Sequence, residues 1–594
     1  MPPPPATPPS GSTERKQHKR EPPMPVVPPT LGHNFVVSAG HELAALAAFE
    51  ILDNGGNAVD AGVAAILTLG VVYSDQVSIA GVAPMIIHWA QTGETLTVTG
   101  LGGWPAALDV DEYIRRHRGE IPLGVRRTVV PAAPDACIQA LRRWGTMRFA
   151  DVAARAIRHA AAGFARHHVM IDYVAQYADA YRHFPDNVEL WLPGGVVPRI
   201  GQQFIQADLG RTLSYLCDQE KAAGPDRDTG LAAVHHAFYQ GDLASTIVKH
   251  QQEHDGLLSA ADLAGFASEI IPSVARTVRL GGEDIEIHTC GAWCQGPVLH
   301  TALNIAAGLD FDALGYGTGD YFHHIAETLK LVFADREAYL GDPAWVDVPL
   351  SAWLSQDYGQ AQRARITGQA FPGLPVPAKI PGYTPYISPV AVRGEPAKLP
   401  ADTSIVAIID KAGNAFCANP SDTSWDTPIV PGTGLAISSR GHQSWAVKEH
   451  PSCLAPGKRP RLTPNPCFAR SPGRWLMPFG TPGGDTQVQA NLQFLLNHFQ
   501  FAMPLQDAIE APRLMTHSHP DSFAPHEASP GRVTIEGRVA EAVCDELQDK
   551  GHQVERLAQW THAVAGLCAV KKDLHTGAIS GAADPRRTSR SMGW

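Results

Sequence analysis

Long apolar segments are missing from this sequence. No run of about 18 apolar residues occurs anywhere in the 594 residues, although a membrane-spanning helix needs roughly that length. The N-terminal segment MPPPPATPPSGSTERKQHKREPP also lacks the apolar core of a secretory signal. We therefore expect a protein that has no contact with a membrane and stays in the cytoplasm.

Positive charge and closely spaced cysteines are scarce as well. The formal net charge is -11, whereas a nucleic-acid-binding protein needs a basic surface to neutralise phosphates. The nine cysteines are an odd number and are scattered along the chain, unlike a secreted disulfide framework. Cys290 and Cys294 have the wrong spacing for a zinc ribbon, and no second pair follows them. The sequence predicts packed, reduced thiols, no metal site and no nucleic-acid partner.

Proline and glycine mark the segments of the chain. Residues 1–30 are rich in proline, which is typical of an extended, disordered tail. Residues 110–345 carry mainly helical spacing, with clear patterns at Arg148–Ala165, Leu243–Gln252 and His323–Tyr339. Residues 355–402 are rich in Gly and Pro and lack periodicity, so they predict a flexible loop.

The segment before this helical region predicts a strand and two helices. Phe35–Ser38 is a short apolar run, and helical spacing follows it as far as Gly55-Gly56, where glycine favours a helix end. Asn57 can cap the next helix, with Asp60 near the third position. That helix is apolar nearly all round and should be buried.

Thr403 directly follows the predicted loop and precedes a strand pattern at Ser404–Ile409, with a return strand at Ala415–Ala418. A threonine hydroxyl needs a base, and a free α-amino group on the same residue is one source. That amine exists only if the chain is cut between Asp402 and Thr403. An ordinary threonine at the start of a strand has the same local pattern, so this feature alone leaves both interpretations open.

Gly483 and Gly484 precede a helical stretch at Thr486–His498. Two residues without Cβ atoms, next to a helix N-terminus, suit an oxyanion hole made of backbone N–H groups. An ordinary tight turn before a helix is the alternative.

Several segments, in this order, resemble the γ-glutamyltransferases, a family of the N-terminal-nucleophile hydrolase superfamily. The matching segments are Gly55-Gly-Asn-Ala-Val-Asp-Ala61, Val130-Pro131, Trp144-Gly-Thr-Met147, Ala334-Asp-Arg336, Tyr339-Leu-Gly-Asp-Pro343, Asp402-Thr-Ser404, Asp410-Lys-Ala-Gly-Asn414, Pro456-Gly-Lys-Arg459, Pro482-Gly-Gly484 and Ala583-Asp-Pro-Arg586. The resemblance covers about residues 35 to 590.

The resemblance implies an α/β protein with the four-layer αββα fold of these hydrolases. The precursor would cut itself between Asp402 and Thr403 into a large subunit (31–402) and a small subunit (403–594). These would stay together as a heterodimer, with further self-association open. Thr403 would attack an amide carbonyl and pass the acyl group to water or an amine. Gly483 and Gly484 would hold the oxyanion, Ser421 would bond the nucleophile, and no cofactor would be needed.

Three departures from the family pattern concern the substrate. Thr99–Pro105 lacks the arginine that pairs with the γ-glutamyl carboxylate, and Leu101 is the nearest match. Gln443 replaces the aspartate that takes the ammonium group, and Leu462 and Thr463 replace two serines. The zwitterionic γ-glutamyl group, once it is removed from water, needs an oppositely charged partner for each of its two charges. These losses resemble the acylase and amidohydrolase branch, which includes cephalosporin-acylase-like and oxamate-hydrolase-like members.

Candidate substrate-binding residues are therefore Gln443, Thr463, Arg440 and Asp485. Arg440 or Arg461 could replace the missing arginine, although a surface position is the commoner fate of arginine. Ser421–Thr427 is dense in polar residues and could line a pocket or form a hydrogen-bonded turn.

The function expected is transfer or hydrolysis of an acyl group from a small amide. A true γ-glutamyl hydrolase or transferase acting on glutathione-type compounds is the first alternative. An unprocessed, non-catalytic relative is the second, and the retained Asp402, Thr403 and Ser421 count against it. A conventional serine or metal hydrolase is the third; the pairs His235-His236 and His323-His324 lack the i,i+4 spacing of two ligands on one helix face.

Overall fold

The computed structural model of the protein describes residues 26–387 and 402–594. Its α-helices are α1 (Glu42–Asp53), α2 (Ala58–Val72), α3 (Val110–His117), α4 (Ala133–Trp144), α5 (Phe149–Ala162), α6 (His168–Gln176), α7 (Ala178–Tyr181), α8 (Pro185–Trp191), α9 (Ala207–Ala222), α10 (Arg227–Tyr239), α11 (Asp242–Glu253), α12 (Ala260–Ala264), α13 (Gly296–Ala306), α14 (Phe311–Leu314), α15 (Gly319–Tyr339), α16 (Leu350–Trp353), α17 (Gln356–Arg363), α18 (Thr486–Leu495), α19 (Leu505–Glu510) and α20 (Glu541–Asp549).

The strands are β1 (Thr30–Gly32), β2 (Val36–Ala39), β3 (Met85–Trp89), β4 (Glu94–Val98), β5 (Phe164–Ala165), β6 (Gln203–Phe204), β7 (Ile270–Pro272), β8 (Val274–Leu280), β9 (Glu283–Thr289), β10 (Val406–Ile409), β11 (Ala415–Ala418), β12 (Ile429–Val430), β13 (Leu435–Ala436), β14 (Cys467–Ser471), β15 (Trp475–Gly480), β16 (Leu514–Thr516), β17 (Arg532–Glu536), β18 (Gln553–Leu557), β19 (Cys568–Asp573), β20 (Ile579–Ala583) and β21 (Arg590–Gly593).

Two seven-stranded sheets form the centre of the fold. The first has the order β1-β20-β19-β15-β14-β9-β8, and the second has the order β21-β2-β10-β11-β3-β4-β7. All neighbours within both sheets are antiparallel. Strands β16, β17 and β18 form a smaller sheet, while β5 pairs with β6 and β12 with β13.

The alternation of side chains along β10 assigns the layers. Ala407 and Ile409 point towards the first sheet and join an apolar cluster between the two sheets. Val406 and Ile408 point the other way, into a cluster with α1 and α2. On the far side of the first sheet, strands β8, β9, β14 and β15 share a core with α13, α15 and α18. The result is the four-layer αββα arrangement that the resemblance implied.

Both sheets mix strands from before and after residue 402. Strands β10 and β11 lie side by side between β2 and β3, so chain segments from either side of the predicted cut alternate through hydrogen-bonded ladders. Seventeen of the twenty α-helices that the structure describes precede residue 402. The predicted large and small subunits therefore share one core.

The local predictions near the N-terminus are confirmed. Asn57 accepts hydrogen bonds from the N–H groups of Val59 and Asp60, and the Asp60 carboxylate accepts from the Asn57 N–H. The helix that they cap continues to Val72, and all its residues are buried. The predicted helices at 148–165, 243–252 and 323–339 correspond to α5, α11 and α15.

Three predictions are wrong in part. Residues 26–30 do not belong to a disordered tail, because the Val26 and Val27 N–H groups donate to Glu510 and β1 begins at Thr30; residues 1–25 lie outside the described residues. The loop predicted at 355–402 contains α17, whose first turn is capped by Ser355; residues 388–401 also lie outside the description. The mainly helical region at 110–345 includes β8 and β9, in which Arg276 and Glu283 lie on the same face as apolar residues and interrupt the alternation.

The nine cysteines are free thiols, and all except Cys217 are buried. Cys290 and Cys294 pack against Trp293 and Leu462, and burial raises the pKa of the Cys290 thiol. Among the described residues, no helix is both long and apolar enough to cross a membrane.

Candidate active site

Thr403 lies three residues before β10 and has no exposed surface. Its backbone has φ = 78°, a conformation that a β-branched residue adopts only at a cost of about 1–3 kcal/mol. The Thr403 N–H donates to the carbonyl oxygen of Gln76 at 3.2 Å. The strained residue is thus the one that follows the predicted scissile bond, and the surrounding backbone holds it in place.

Two oxygen groups surround the Thr403 hydroxyl. Its Oγ1 lies 2.6 Å from Ser421 Oγ and donates to Asp402 Oδ1 at 3.1 Å. The antiparallel register explains the first contact: Val406 pairs with Ala418, so residues three positions beyond each end of the hairpin meet. The Asp402 carboxylate is an acceptor placed to take the hydroxyl proton.

Gly483 contacts the predicted scissile carbonyl. Its N–H donates to the Asp402 carbonyl oxygen at 3.1 Å. The backbone here requires glycine, because Gly483 has φ = 120° and Gly484 has φ = 57°, and a Cβ on Gly483 would lie 2.3 Å from Thr486 Oγ1. The Gly484 N–H donates to no atom of the described residues. Both N–H groups precede α18, whose N-terminus adds positive potential.

Arg440 is the cation of the site. It has no exposed surface, and its Nη2 lies 2.6 Å from Asp402 Oδ2 and 2.6 Å from Ser421 Oγ. Its Nε lies 3.6 Å from Asp422 Oδ2. Burial opposes the charge, but the Asp402 and Asp422 carboxylates outweigh it and raise the pKa of Arg440. The expectation of a surface arginine is therefore wrong.

Arg461 is buried too, so the same expectation is wrong for it, but it is committed elsewhere. Its Nη2 donates to Glu337 Oε1 at 2.7 Å, and its Nη1 donates to the Arg336 carbonyl. Of the two arginines considered from the sequence, only Arg440 contacts Asp402.

The other predicted substrate-binding residues form separate contacts. Gln443 donates to Thr463 Oγ1 at 2.8 Å, and both are buried. Asp485 accepts from Arg336 Nη1 at 2.5 Å and from Ser522 Oγ at 2.7 Å. Burial works against ionisation of Asp485, but the Arg336 charge lowers its pKa to about 2. Asp485 thus anchors the N-terminus of α18, and its oxygens are already occupied by protein donors.

Two of the positions at which the resemblance implied an arginine and a serine are apolar. Leu101 and Leu462 belong to one buried cluster with Trp293, Cys290 and Cys294. A carboxylate would meet no partner among these side chains, and burying an unpaired charge is very costly.

The polar segment Ser421–Thr427 contacts residues that the sequence did not single out. Thr423 donates to Asp426 Oδ1 at 2.6 Å, so the segment is a hydrogen-bonded turn. Asp426 also lies 2.7 Å from His442 Nδ1 and 3.2 Å from Arg127 Nη1. Half-buried Trp425 stacks on Tyr177 with ring centroids 4.2 Å apart. No local pattern identifies the His442 contact, because its partners lie far away in the sequence.

One group of metal-ligating side chains occurs in the described residues, comprising His323, Glu327 and His552. His323 and Glu327 have i,i+4 spacing on α15. The sequence prediction considered only adjacent histidine pairs and did not include Glu327 as a ligand. The Lys330 ammonium lies 2.7 Å from Glu327 Oε1, and His323 Nδ1 lies 2.9 Å from His552 Nε2. A bound cation would have to displace Lys330 from its ion pair with Glu327.

Two stacked antiparallel sheets enclosed by helices form the αββα fold of the N-terminal-nucleophile hydrolases. The Gamma-glutamyltranspeptidase family model matches residues 44–594, and this chain belongs to that family.

Relatives of the chain carry different activities in their names. It is 27% identical to the glutathione hydrolase-like YwrD proenzyme of Bacillus subtilis (strain 168), over 95% of this chain and 99% of that protein. It is 29% identical to the acylase ACY 1 proenzyme of Pseudomonas sp. (strain SE83), over 89% and 88%. The solved cephalosporin acylase of Bacillus halodurans superposes with a TM-score of 0.82 at 25% identity, covering 97% of this chain and 98% of that one. The chain is thus a family enzyme with both hydrolase and acylase relatives.

Proposed function

We propose that the protein cuts itself between Asp402 and Thr403 and then uses Thr403 to hydrolyse or transfer the acyl group of a small amide other than a γ-glutamyl compound. The contact that carries this proposal is the 3.1 Å hydrogen bond from the Gly483 N–H to the Asp402 carbonyl oxygen. It supports the proposal because an N–H donor lies on the carbonyl of the bond that would break.

Self-cleavage begins at the Thr403 hydroxyl. Its proton passes to the Asp402 carboxylate, an acceptor at 3.1 Å, and Oγ1 attacks the Asp402 carbonyl carbon. The Gly483 N–H stabilises the negative charge that develops on the carbonyl oxygen. The C–N bond then breaks, the nitrogen takes a proton to become the Thr403 amine, and an ester joins Asp402 to Oγ1. Water hydrolyses that ester and leaves a free hydroxyl and a free amine on Thr403.

Thr403 Oγ1 is also the nucleophile of the later reaction, but the base is now the Thr403 amine. The Thr403 amine accepts the hydroxyl proton, Oγ1 attacks the substrate carbonyl, and the departing amine takes the proton. The acyl group then passes from Oγ1 to water or to an acceptor amine. Ser421 Oγ, 2.6 Å from Oγ1, holds the nucleophile in position throughout.

The apolar surroundings of Leu101 support a substrate other than a γ-glutamyl compound. Leu101 and Leu462 are buried together, and Gln443 carries no charge to answer an ammonium group. A γ-glutamyl head desolvated there would leave both of its charges without a partner, which costs several kcal/mol. The acylase relatives agree with this proposal.

Intact mass under denaturing conditions tests the self-cleavage. We expect the wild-type protein to give two fragments with Thr403 at the new N-terminus, and Thr403→Ala to stay uncut. Thr403→Ser, which keeps a hydroxyl, serves as the matched variant and should still cut. A single uncut wild-type chain would rule out the proposal. Turnover of glutathione faster than of simple acyl amides would instead favour a γ-glutamyl enzyme.

A further inference from the structure

In the uncut chain, both the backbone carbonyl and the side-chain carboxylate of Asp402 are bound. Its carbonyl oxygen accepts from the Gly483 N–H at 3.1 Å, and its side-chain carboxylate pairs with Arg440 Nη2 at 2.6 Å. Both contacts are buried. Asp402 therefore occupies a subsite with one donor for a carbonyl and one cation for a carboxylate.

Self-cleavage and amide turnover each pass through an ester on Thr403 Oγ1, provided that the proposed function is correct. In the first reaction the acyl group on Thr403 Oγ1 is Asp402 itself; in the second it is the acyl group of the substrate. Because nucleophile and oxyanion donor are shared, the substrate acyl group has to occupy the space that Asp402 leaves. Asp402 is in this sense the first acyl group that the site accepts.

Departure of Asp402 leaves Arg440 with unused donors. The guanidinium keeps Ser421 Oγ at 2.6 Å and Asp422 at 3.6 Å, while its Nε and Nη1 make no hydrogen bond to a described residue. Asp422 already accepts from Ser438 Oγ and from the Ser439 N–H. A fully buried cation with open donors favours an anion.

We propose that Arg440 changes partners on cleavage and then binds a carboxylate on the acyl part of the substrate. In Asp402 two carbon atoms, Cα and Cβ, separate the carbonyl carbon from the carboxylate carbon. The class of substrate that fits is the monoamide of a short dicarboxylic acid with that two-carbon spacing, a succinyl-type amide. Arg440 thus replaces, from another direction, the arginine that this chain lacks near Leu101.

A series of acyl p-nitroanilides tests how many carbon atoms should separate the amide carbonyl from the carboxylate. Purified, cut enzyme is assayed with malonyl, succinyl and glutaryl anilides, with the neutral butyryl anilide as the control of equal length. We expect kcat/KM to be highest for the succinyl compound and roughly 10- to 150-fold lower for butyryl, the range for loss of one charge-assisted hydrogen bond. We also expect free succinate to compete with the substrate far better than butyrate does.

Substitution of Arg440 tests the residue itself. Arg440→Lys should keep part of the preference for succinyl over butyryl, and Arg440→Met should abolish it. Arg470→Met, at a half-exposed arginine paired with Glu286, is the matched control and should keep the preference. Since Arg440 also holds Asp402, rates are expressed per mole of free Thr403 N-terminus; if Arg440→Met stays uncut, succinate competition in the wild type carries the test.

The possible failures are distinguishable. Equal turnover of succinyl and butyryl anilides by cut enzyme would overturn this inference and leave the proposed function standing. A succinyl preference retained by Arg440→Met would do the same. An uncut wild-type chain without amide turnover would overturn the proposed function and this inference with it.

Discussion

The Gly483→Ala substitution perturbs the oxyanion donor most directly. The new Cβ would lie 2.3 Å from Thr486 Oγ1, closer than side-chain carbons ever approach an oxygen. The residue would also have to adopt φ = 120°, which costs a non-glycine residue about 1–3 kcal/mol. The backbone strain of the substituted residue and the contact with Thr486 Oγ1 together favour a shift of the loop, which moves the N–H away from the Asp402 carbonyl.

The expected size of the effect follows from the lost hydrogen bond. Removal of one oxyanion donor raises an activation barrier by about 2.7–4 kcal/mol, which slows a reaction roughly 100- to 1,000-fold. We expect self-cleavage of Gly483→Ala to slow by at least about 100-fold. The time course of cleavage after purification, followed by intact mass, measures the rate.

Gly473→Ala is the matched control. Gly473 also has positive φ, at 72°, but a Cβ there meets no atom within 4 Å, and it lies in the turn between β14 and β15. Its cleavage rate should equal that of the wild type, with at most about 1 kcal/mol lost from the free energy of unfolding. Cleavage of Gly483→Ala at the wild-type rate would refute the assignment of its N–H as the oxyanion donor.

Three further substitutions test Ser421, Asp75 and Asp485. Asp75 is buried and precedes Gln76, whose carbonyl accepts from the Thr403 N–H. Ser421→Ala removes the hydroxyl 2.6 Å from Thr403 Oγ1 and should slow amide turnover by roughly 10- to 150-fold, the equivalent of about 1.5–3 kcal/mol; an unchanged kcat would contradict the positioning role. Burial raises the pKa of Asp75 to about 6, above a value of about 3.9 in the unfolded chain. The free energy of unfolding therefore includes the full contribution of protonated Asp75 below about pH 4, and this contribution is lost as the pH rises through 6. Asp75→Asn should remove this loss, which amounts to about 3 kcal/mol at pH 8; urea unfolding at pH 4.5 and 8 measures it, and equal pH slopes for both proteins would argue against it. Asp485→Asn breaks the buried pair with Arg336 and should lower the free energy of unfolding by about 3–5 kcal/mol, whereas a loss below about 1 kcal/mol would show that the pair is dispensable.

Features that depend on neighbouring residues were predictable from the sequence. The cap at Asn57 and Asp60 uses atoms within four residues, and the turn before Ala415 joins adjacent strands, so local chemistry determines both. The approach of Thr403 to Ser421 follows from the register of that hairpin. The resemblance to a family added the order of the layers, which no local pattern contains.

Features that depend on distant parts of the chain were not predictable. Arg440 is buried because Asp402 and Asp422 together offset the cost of burying its charge, and only the folded chain brings all three together. In β8, at the edge of a sheet, Arg276 lies on the same face as Val278 and Leu280. The alternation of apolar and polar residues that predicts a strand is therefore interrupted in the sequence. The bonds from Val26 and Val27 reach a residue more than 480 positions away.

The interleaving of β10 and β11 between β2 and β3 has a consequence for reversibility. An uncut chain folds in a unimolecular reaction, so its melting temperature is independent of protein concentration. After cleavage the same ladders join two separate molecules, and unfolding becomes dissociation into two species. The melting temperature of the cut protein should then rise with concentration, and recovery after full denaturation should require the two chains to find each other. A single broken peptide bond would thus convert a self-contained fold into an obligate complex without moving any strand.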